Sequence, residues 1–527
     1  MKADAWTAER IGLTWLRAAV APVGAFGRRH DETIASYGPG DETRARAEIA
    51  DVVDLAARLD GDGVTRLRAA LRAVPEPGAI VARARAGDPL NDVDFYELGR
   101  FVDALDVLAR AWESARGEAS RRPPVLEALR ALLAPGRSGG EFYLADSFAA
   151  GLRESRAAVE RTEERYEALR EAVAARVRDA LGIDVVGEEL VVLRGDYDGP
   201  LPDELLVVRE TPTYRAARLR VTVPGRDDAL ARLATEEDAA RRALAERVSQ
   251  QAEAIAAVTR ALGALDRLLA RVAFAQRWEG CVPSFARAIA VDDGVFPPLA
   301  DALAARGRGY TALSMRLDGV AVLTGPNMGG KSAALAATGF WCACAALGVP
   351  PPARSATIPL LERIEWIGGE GPADRARLLS SYAVEVVRAS GVLAGASPAT
   401  LVLVDEFART TGPREGRALL IALVEALRGC GALALVATHF DAVAEAAGVI
   451  HLRVAGLRAE ALDTIRASDL DAALEAIGAA MDYRIVAADG AATASDAVAL
   501  ARLLGLDARI VDRATAISDS AQTRFRR

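Results

Sequence analysis

Gly325-Pro326-Asn327-Met328-Gly329-Gly330-Lys331-Ser332 decides the fold. It matches G-x-x-x-x-G-K-[ST], the loop that cradles phosphates. The run Val320-Ala321-Val322-Leu323-Thr324 before it reads as a buried strand, and Ala333 to Pro350 after it reads as a buried helix. A strand, a glycine loop and a helix N-terminus together turn backbone amides and a favourable dipole toward an anion. Lys331 would then reach the terminal phosphates as a point charge, and Ser332 would ligate Mg²⁺. The apolar run is nearly long enough to span a membrane. Thr338, Gly339 and Gly348 inside it, and the loop ahead of it, point instead to the interior of an α/β core.

Composition sharpens this reading. Lys and Arg together number 65, yet only Lys2 and Lys331 are lysine. Asparagine occurs only at Asn91 and Asn327. A chain that uses arginine almost everywhere keeps a lysine where a forked guanidinium will not serve.

Downstream, Leu401-Val402-Leu403-Val404-Asp405-Glu406 reads as a strand ending in two carboxylates. Asp405 is the candidate for the Mg²⁺ shell and Glu406 the candidate general base toward water. Ala432-Leu433-Ala434-Leu435-Val436 reads as a third buried strand. Ala437-Thr438-His439 follows it and would place His439 beside the γ-phosphate. Loop, carboxylates and histidine in this order point to hydrolysis of a bound phosphate, with catalytic candidates Lys331, Glu406 and His439.

Upstream, residues 1–180 carry apolar residues at three- and four-residue spacing and read as helical. A long charged helix is expected from about Asp146 to Leu181, and helix returns from Asp227 to about Arg277. Between them, 182–225 change to short β-type runs: Val185-Val186, Leu190–Leu193, Leu205–Val208 and Leu219–Val223. Helix out, β module and helix back describe a hairpin lever with a module on its tip. The module has five arginines against eight carboxylates between 184 and 225, a net of −3. Residues 466–527 read as a helical tail.

The whole chain has 527 residues and a net charge of −8, with 26% charged and 51% apolar residues. That composition fits a folded protein and argues against a non-specific nucleic-acid coat. Four cysteines make no disulfide framework, so Cys342 and Cys344 read as reduced core thiols. Three histidines are too scattered for a His-based metal site. The first residues lack the apolar core of a signal peptide, so a cytoplasmic location is expected.

The ATPase half resembles the MutS family of DNA mismatch-repair ATPases, a branch of the ABC-type ATPases. The resemblance lies in Gly325–Ser332 with its Pro-Asn-Met, Ser380-Ser381-Tyr382-Ala383-Val384-Glu385, and Leu403-Val404-Asp405-Glu406 with Arg409 and Gly416. Ala437-Thr438-His439-Phe440 and Ala497–Leu506 add to it. It is dense over 310–506 and looser before. It implies that Tyr310 stacks on adenine and that Gly325, Pro326, Asn327, Met328, Gly329, Gly330, Lys331, Ser332 and Ala333 hold ATP. It also implies that Ser380 and Ser381 complete the partner's site in trans, and that the tail dimerises the ATPase. Leu378-Leu379 stand where the family has its signature glycine, and Thr410 where a glycine follows the arginine. The Phe-x-Glu mismatch wedge and the connector of mismatch-reading members are expected to be missing.

The expected fold is mixed. An all-α core with long lever helices and a small β insertion (1–277, insertion 182–225) precedes an α/β ABC-type P-loop ATPase domain (278–465) and a helical tail (466–527). The expected cofactors are ATP and Mg²⁺. The expected assembly is a homodimer, or a heterodimer with a paralogue, with no membrane partner. The levers would act on duplex or branched DNA without reading mismatches. The alternative is a remodelling or reactivating ATPase for a partner enzyme such as an adenosylcobalamin-dependent aminomutase.

Overall fold

Apolar strands buried along nearly their whole length build the core of the larger part of the protein, seen here in a computed structural model. The structure describes residues 1–326, 329–369, 381–457, 480–488 and 504–525, with 476, 498, 501 and 502 besides. Contacts divide the chain into two units: residues 73–109 and 123–261 in one, and 1–72, 110–122 and 262–527 in the other.

The smaller unit holds a helical hairpin. Helices Leu152–Leu181 and Arg226–Gln250 run side by side, tied by Arg226 to Glu163 at 2.8 Å and Arg156 to Glu237 at 3.7 Å. The Arg226 guanidinium also lies 4.0 Å from the centre of the Tyr166 ring. Between the helices, β1 (Glu189–Leu193), β2 (Leu205–Glu210) and β3 (Tyr214–Leu219) form an antiparallel sheet with β3 central. Its inner face, Leu190, Val192, Leu205, Ala217 and Leu219, packs on Val173 and Val177 of the first helix. The sequence reading placed a strand at 219–223. The structure places it at 214–219, because Arg215 is buried inside the module and masks the apolar alternation. The Arg215 guanidinium donates to Tyr197 O and Gly199 O, both at 2.9 Å. The returning helix is also not continuous, being interrupted at Gln251 before a second helix, Ala252–Trp278.

In the larger unit, β4 (Ile289–Gly294), β5 (Leu313–Leu317) and β7 (Ser355–Thr357) make an antiparallel sheet with β4 in the middle. The main sheet contains β6 (Val320–Thr324), β8 (Arg363–Ile367), β9 (Thr400–Asp405), β10 (Leu433–Ala437), β11 (Ile450–Leu457) and β12 (Met481–Ala487). Its order is β8-β9-β10-β6-β11-β12, parallel except for β12. Ala321, Leu323, Leu401, Leu403, Leu433 and Leu435 join the core around helix Lys331–Ala346. Val320, Val322, Val402, Val404, Ala434 and Val436 face the other way, onto Leu420, Leu423, Val424 and Leu427 of helix Pro413–Gly429. Both faces are covered, which is why these strands are apolar at every position.

One expectation needs correction here. The tail was read as helical, yet Met481–Ala487 is the antiparallel edge strand β12; pairing with β11 overrides its alanine-rich surroundings. Helix Ala508–Phe525 agrees with the reading. Ile11, Leu13 and Leu16 are buried in the core of helix Lys331–Ala346, so the first 72 residues group with the loop-bearing unit.

Cys342 and Cys344 are buried and unpaired, and burial pushes both thiols well above their usual pKa. Among the described residues no helix is long and apolar enough to cross a membrane.

Candidate functional site

The glycine loop joins β6 to the head of helix Lys331–Ala346. Gly330 caps that helix with φ +82°, a left-handed conformation that glycine adopts without strain. A Cβ there would lie 3.2 Å from Cδ1 of Tyr483. Lys331 is 6% exposed. Its Nζ donates to Gly325 O at 3.0 Å and Pro326 O at 3.1 Å. Burial lowers its pKa, and the nearby Glu406 and Asp405 oppose that shift. Gly329 is buried, Gly325, Pro326 and Ala333 half-buried, and Ser332 exposed. Asn327 and Met328 lie outside the described residues, as does Ser380; Ser381 opens helix Ser381–Gly395.

β9 delivers the carboxylates. Ser332 Oγ donates to Asp405 Oδ1 at 2.9 Å. Burial raises the Asp405 pKa, Glu406 adds to the rise, and the Ser332 hydroxyl opposes it. Glu406 has φ +55° and donates its amide to Ala437 O at 3.0 Å. A non-glycine residue held left-handed carries strain, which the surrounding structure must hold in place. Ala408, at φ +61°, donates its amide to Oε2 of the buried Glu385 at 2.8 Å. Arg409 lies 3.4 Å from Glu406 Oε2.

Thr438 is fully buried and donates its amide to Leu323 O at 3.1 Å, so β10 and β6 end side by side. The next residue, His439, is exposed, its ring centroid 4.4 Å from that of Phe440. Gly416 lies beneath Phe440, where a Cβ would come within 2.8 Å of the ring. Lys331, Ser332, Asp405 and Glu406 thus form one cluster, with His439 on the adjoining strand end.

The Tyr310 ring packs against the core around helix Lys331–Ala346, and its hydroxyl accepts the Phe296 amide at 3.1 Å. Burial pushes its pKa up to about 12. Tyr483 is the aromatic side chain the structure places against the loop. Sequence reasoning missed it, because its strand was read as helix. It also missed His451, which shares a 2.9 Å hydrogen bond with Thr324 at the loop's entrance and a 3.0 Å one with Glu445.

A buried lysine, a hydroxyl on a carboxylate and a second carboxylate one residue on suit a magnesium nucleotide. Residues 321–522 match the family described as MutS domain V. Over these residues the chain resembles the MutS family. It is 28% identical over 523 residues to the DNA mismatch repair protein MutS of Natronomonas pharaonis, covering 95% of this chain and 56% of that one. It is 33% identical over 218 residues to the endonuclease MutS2 of an Anaeromyxobacter species, covering 41% and 25%. MutS of Granulibacter bethesdensis is 34% identical over 212 residues, covering 39% and 23%. The chain therefore spans from about a quarter to just over half of the length of these MutS relatives.

Proposed function

We propose that this MutS-like chain is an ATPase that couples ATP binding and hydrolysis to movement of its helical hairpin, in DNA repair or recombination. The observation that carries the reading is the Ser332–Asp405 hydrogen bond beside the buried Lys331. Gly325 to Ala333 would wrap the phosphates, and Tyr310 and Tyr483 are the aromatic candidates for the base. Lys331 would neutralise terminal phosphate charge. Ser332 and Asp405 would hold Mg²⁺, which when bound supplies positive charge to the phosphates. Glu406 would take the proton from the attacking water, with His439 orienting it.

Ser380 and Ser381 would complete the site of a second copy or a paralogue, and nucleotide binding would close that dimer. The tail supports dimerisation: Ile510 and Ile517 are 55% and 54% exposed at helical spacing. DNA is the proposed target because two of these relatives are named DNA mismatch repair proteins and the third an endonuclease. The net charge of −3 on the insertion argues for weak phosphate contact. It is also the feature that favours a protein target, the second reading.

The deciding experiment is ATP hydrolysis with Mg²⁺, alone and with duplex, branched or single-stranded DNA. Hydrolysis stimulated by any of them supports the reading. Absence of both ATP binding and hydrolysis overturns it. Hydrolysis indifferent to every DNA favours the protein target.

A further inference from the structure

The first helix, Ala5–Arg10, is bonded to the strand that backs the nucleotide site. The Trp366 amide donates to Thr7 Oγ1 at 3.1 Å, and Trp6 Nε1 donates to Gly368 O at 3.3 Å. The Arg10 guanidinium lies between two indoles, 4.3 Å from the Trp6 ring centre and 5.7 Å from that of Trp366. It also abuts one of a pair of glycines. A Cβ on Gly369 would stand 2.6 Å from Arg10 Nη2, and one on Gly368 would stand 2.1 Å from Asp405 O. Arg10 thus closely abuts Gly369, and the adjacent Gly368 closely abuts the Asp405 backbone.

Arg10 Nε is buried and has no hydrogen-bond partner among the described residues. A buried donor without an acceptor is destabilising, so packing alone accounts poorly for an arginine here.

We propose that Arg10 is a positioning residue of the nucleotide site, bracing Gly368–Gly369 against Asp405 so that this carboxylate meets Ser332. The first helix then shares one mechanical element with the site, and displacing it would loosen the magnesium-holding pair. The inference rests on the ATPase reading above.

The test compares Arg10→Met, which keeps the stem, with Arg10→Lys, which keeps the charge. Arg10→Met should lower kcat about tenfold and leave ATP half-saturation within about twofold, as loss of an outer orienting contact does. Arg10→Lys should recover most of kcat. A wild-type kcat in Arg10→Met overturns the proposal, and so do equal losses in both variants, which would mean packing alone. If Arg10→Met fails to fold, Arg10→Gln is read by the same outcomes. If the wild type binds a fluorescent ATP analogue without hydrolysing it, the catalytic reading fails separately. The Mg²⁺ half-saturation of analogue binding then decides. It should rise about tenfold in Arg10→Met and stay near wild type in Arg10→Lys; no change in Arg10→Met overturns the proposal.

Discussion

The Ser332 hydroxyl donates to Asp405 at 2.9 Å, bringing together residues 73 positions apart in the chain. One heads the buried helix and the other ends β9, so two elements set the geometry of the pair. Its neighbours give the most direct tests.

Glu406→Gln should keep ATP affinity within about twofold and slow single-turnover hydrolysis by roughly 10²–10⁴-fold, the usual share of a general base. The amide side chain keeps the size of Glu406 but cannot take a proton. A near-normal single-turnover rate would remove Glu406 from that role.

Lys331→Arg should weaken ATP binding nearly as much as Lys331→Ala. The Lys331 Nζ fits between two carbonyl oxygens, at 3.0 and 3.1 Å, in a buried position. A planar fork with five donors does not fit that space. Equal nucleotide affinity for wild type and Lys331→Arg, measured by calorimetry, would show that the cradle tolerates a guanidinium.

Gly368→Ala should destabilise the larger unit and slow hydrolysis. Gly368 has φ +119°, and its Cβ would stand 2.1 Å from Asp405 O. A strained backbone position costs about 1–3 kcal/mol, before the contact is counted. Urea denaturation should show the loss, and an unchanged midpoint would mean that the turn shifts freely.

Arg215→Met should loosen the β insertion without touching ATP turnover. Removing the guanidinium leaves the carbonyls of Tyr197 and Gly199 without their donor, at about 1–3 kcal/mol. Faster amide exchange confined to residues 189–219 is the expected result; unchanged exchange there would mean that the buried arginine is dispensable.

Duplex DNA should bind weakly at physiological salt, with no preference for a mismatch and a shallow salt slope. A module with net −3 displaces few counterions from a phosphate backbone. Fluorescence anisotropy with matched, mismatched and branched duplexes at two salt concentrations tests this. Tight, salt-steep binding would mean that arginines elsewhere build a groove.

Three strands of the main sheet were legible because strands covered on both faces are apolar throughout; β6, β9 and β10 lie within one residue of where the sequence placed them. Local spacing also brought out Lys331, Ser332, Asp405 and Glu406. What escaped was set by distant pairing. Tyr483 reaches Gly330 only because β12 adds antiparallel to β11, which its alanine-rich neighbourhood does not announce. Arg10 escaped because its neighbours, Trp366 and Gly369, lie more than 350 positions along the chain. Arg215 misled because a cation in a small core breaks the pattern that marks a central strand.

Helix Lys331–Ala346 is buried at every position except Ser332 and Ala333, both beside the loop. Such a rod cannot roll or slide without opening voids against close-packed neighbours, and voids are expensive. The nucleotide would therefore bind to an anvil. Its amides should exchange with solvent only when the whole unit unfolds. Any work done by ATP would have to appear as motion of the pieces that close over this fixed point.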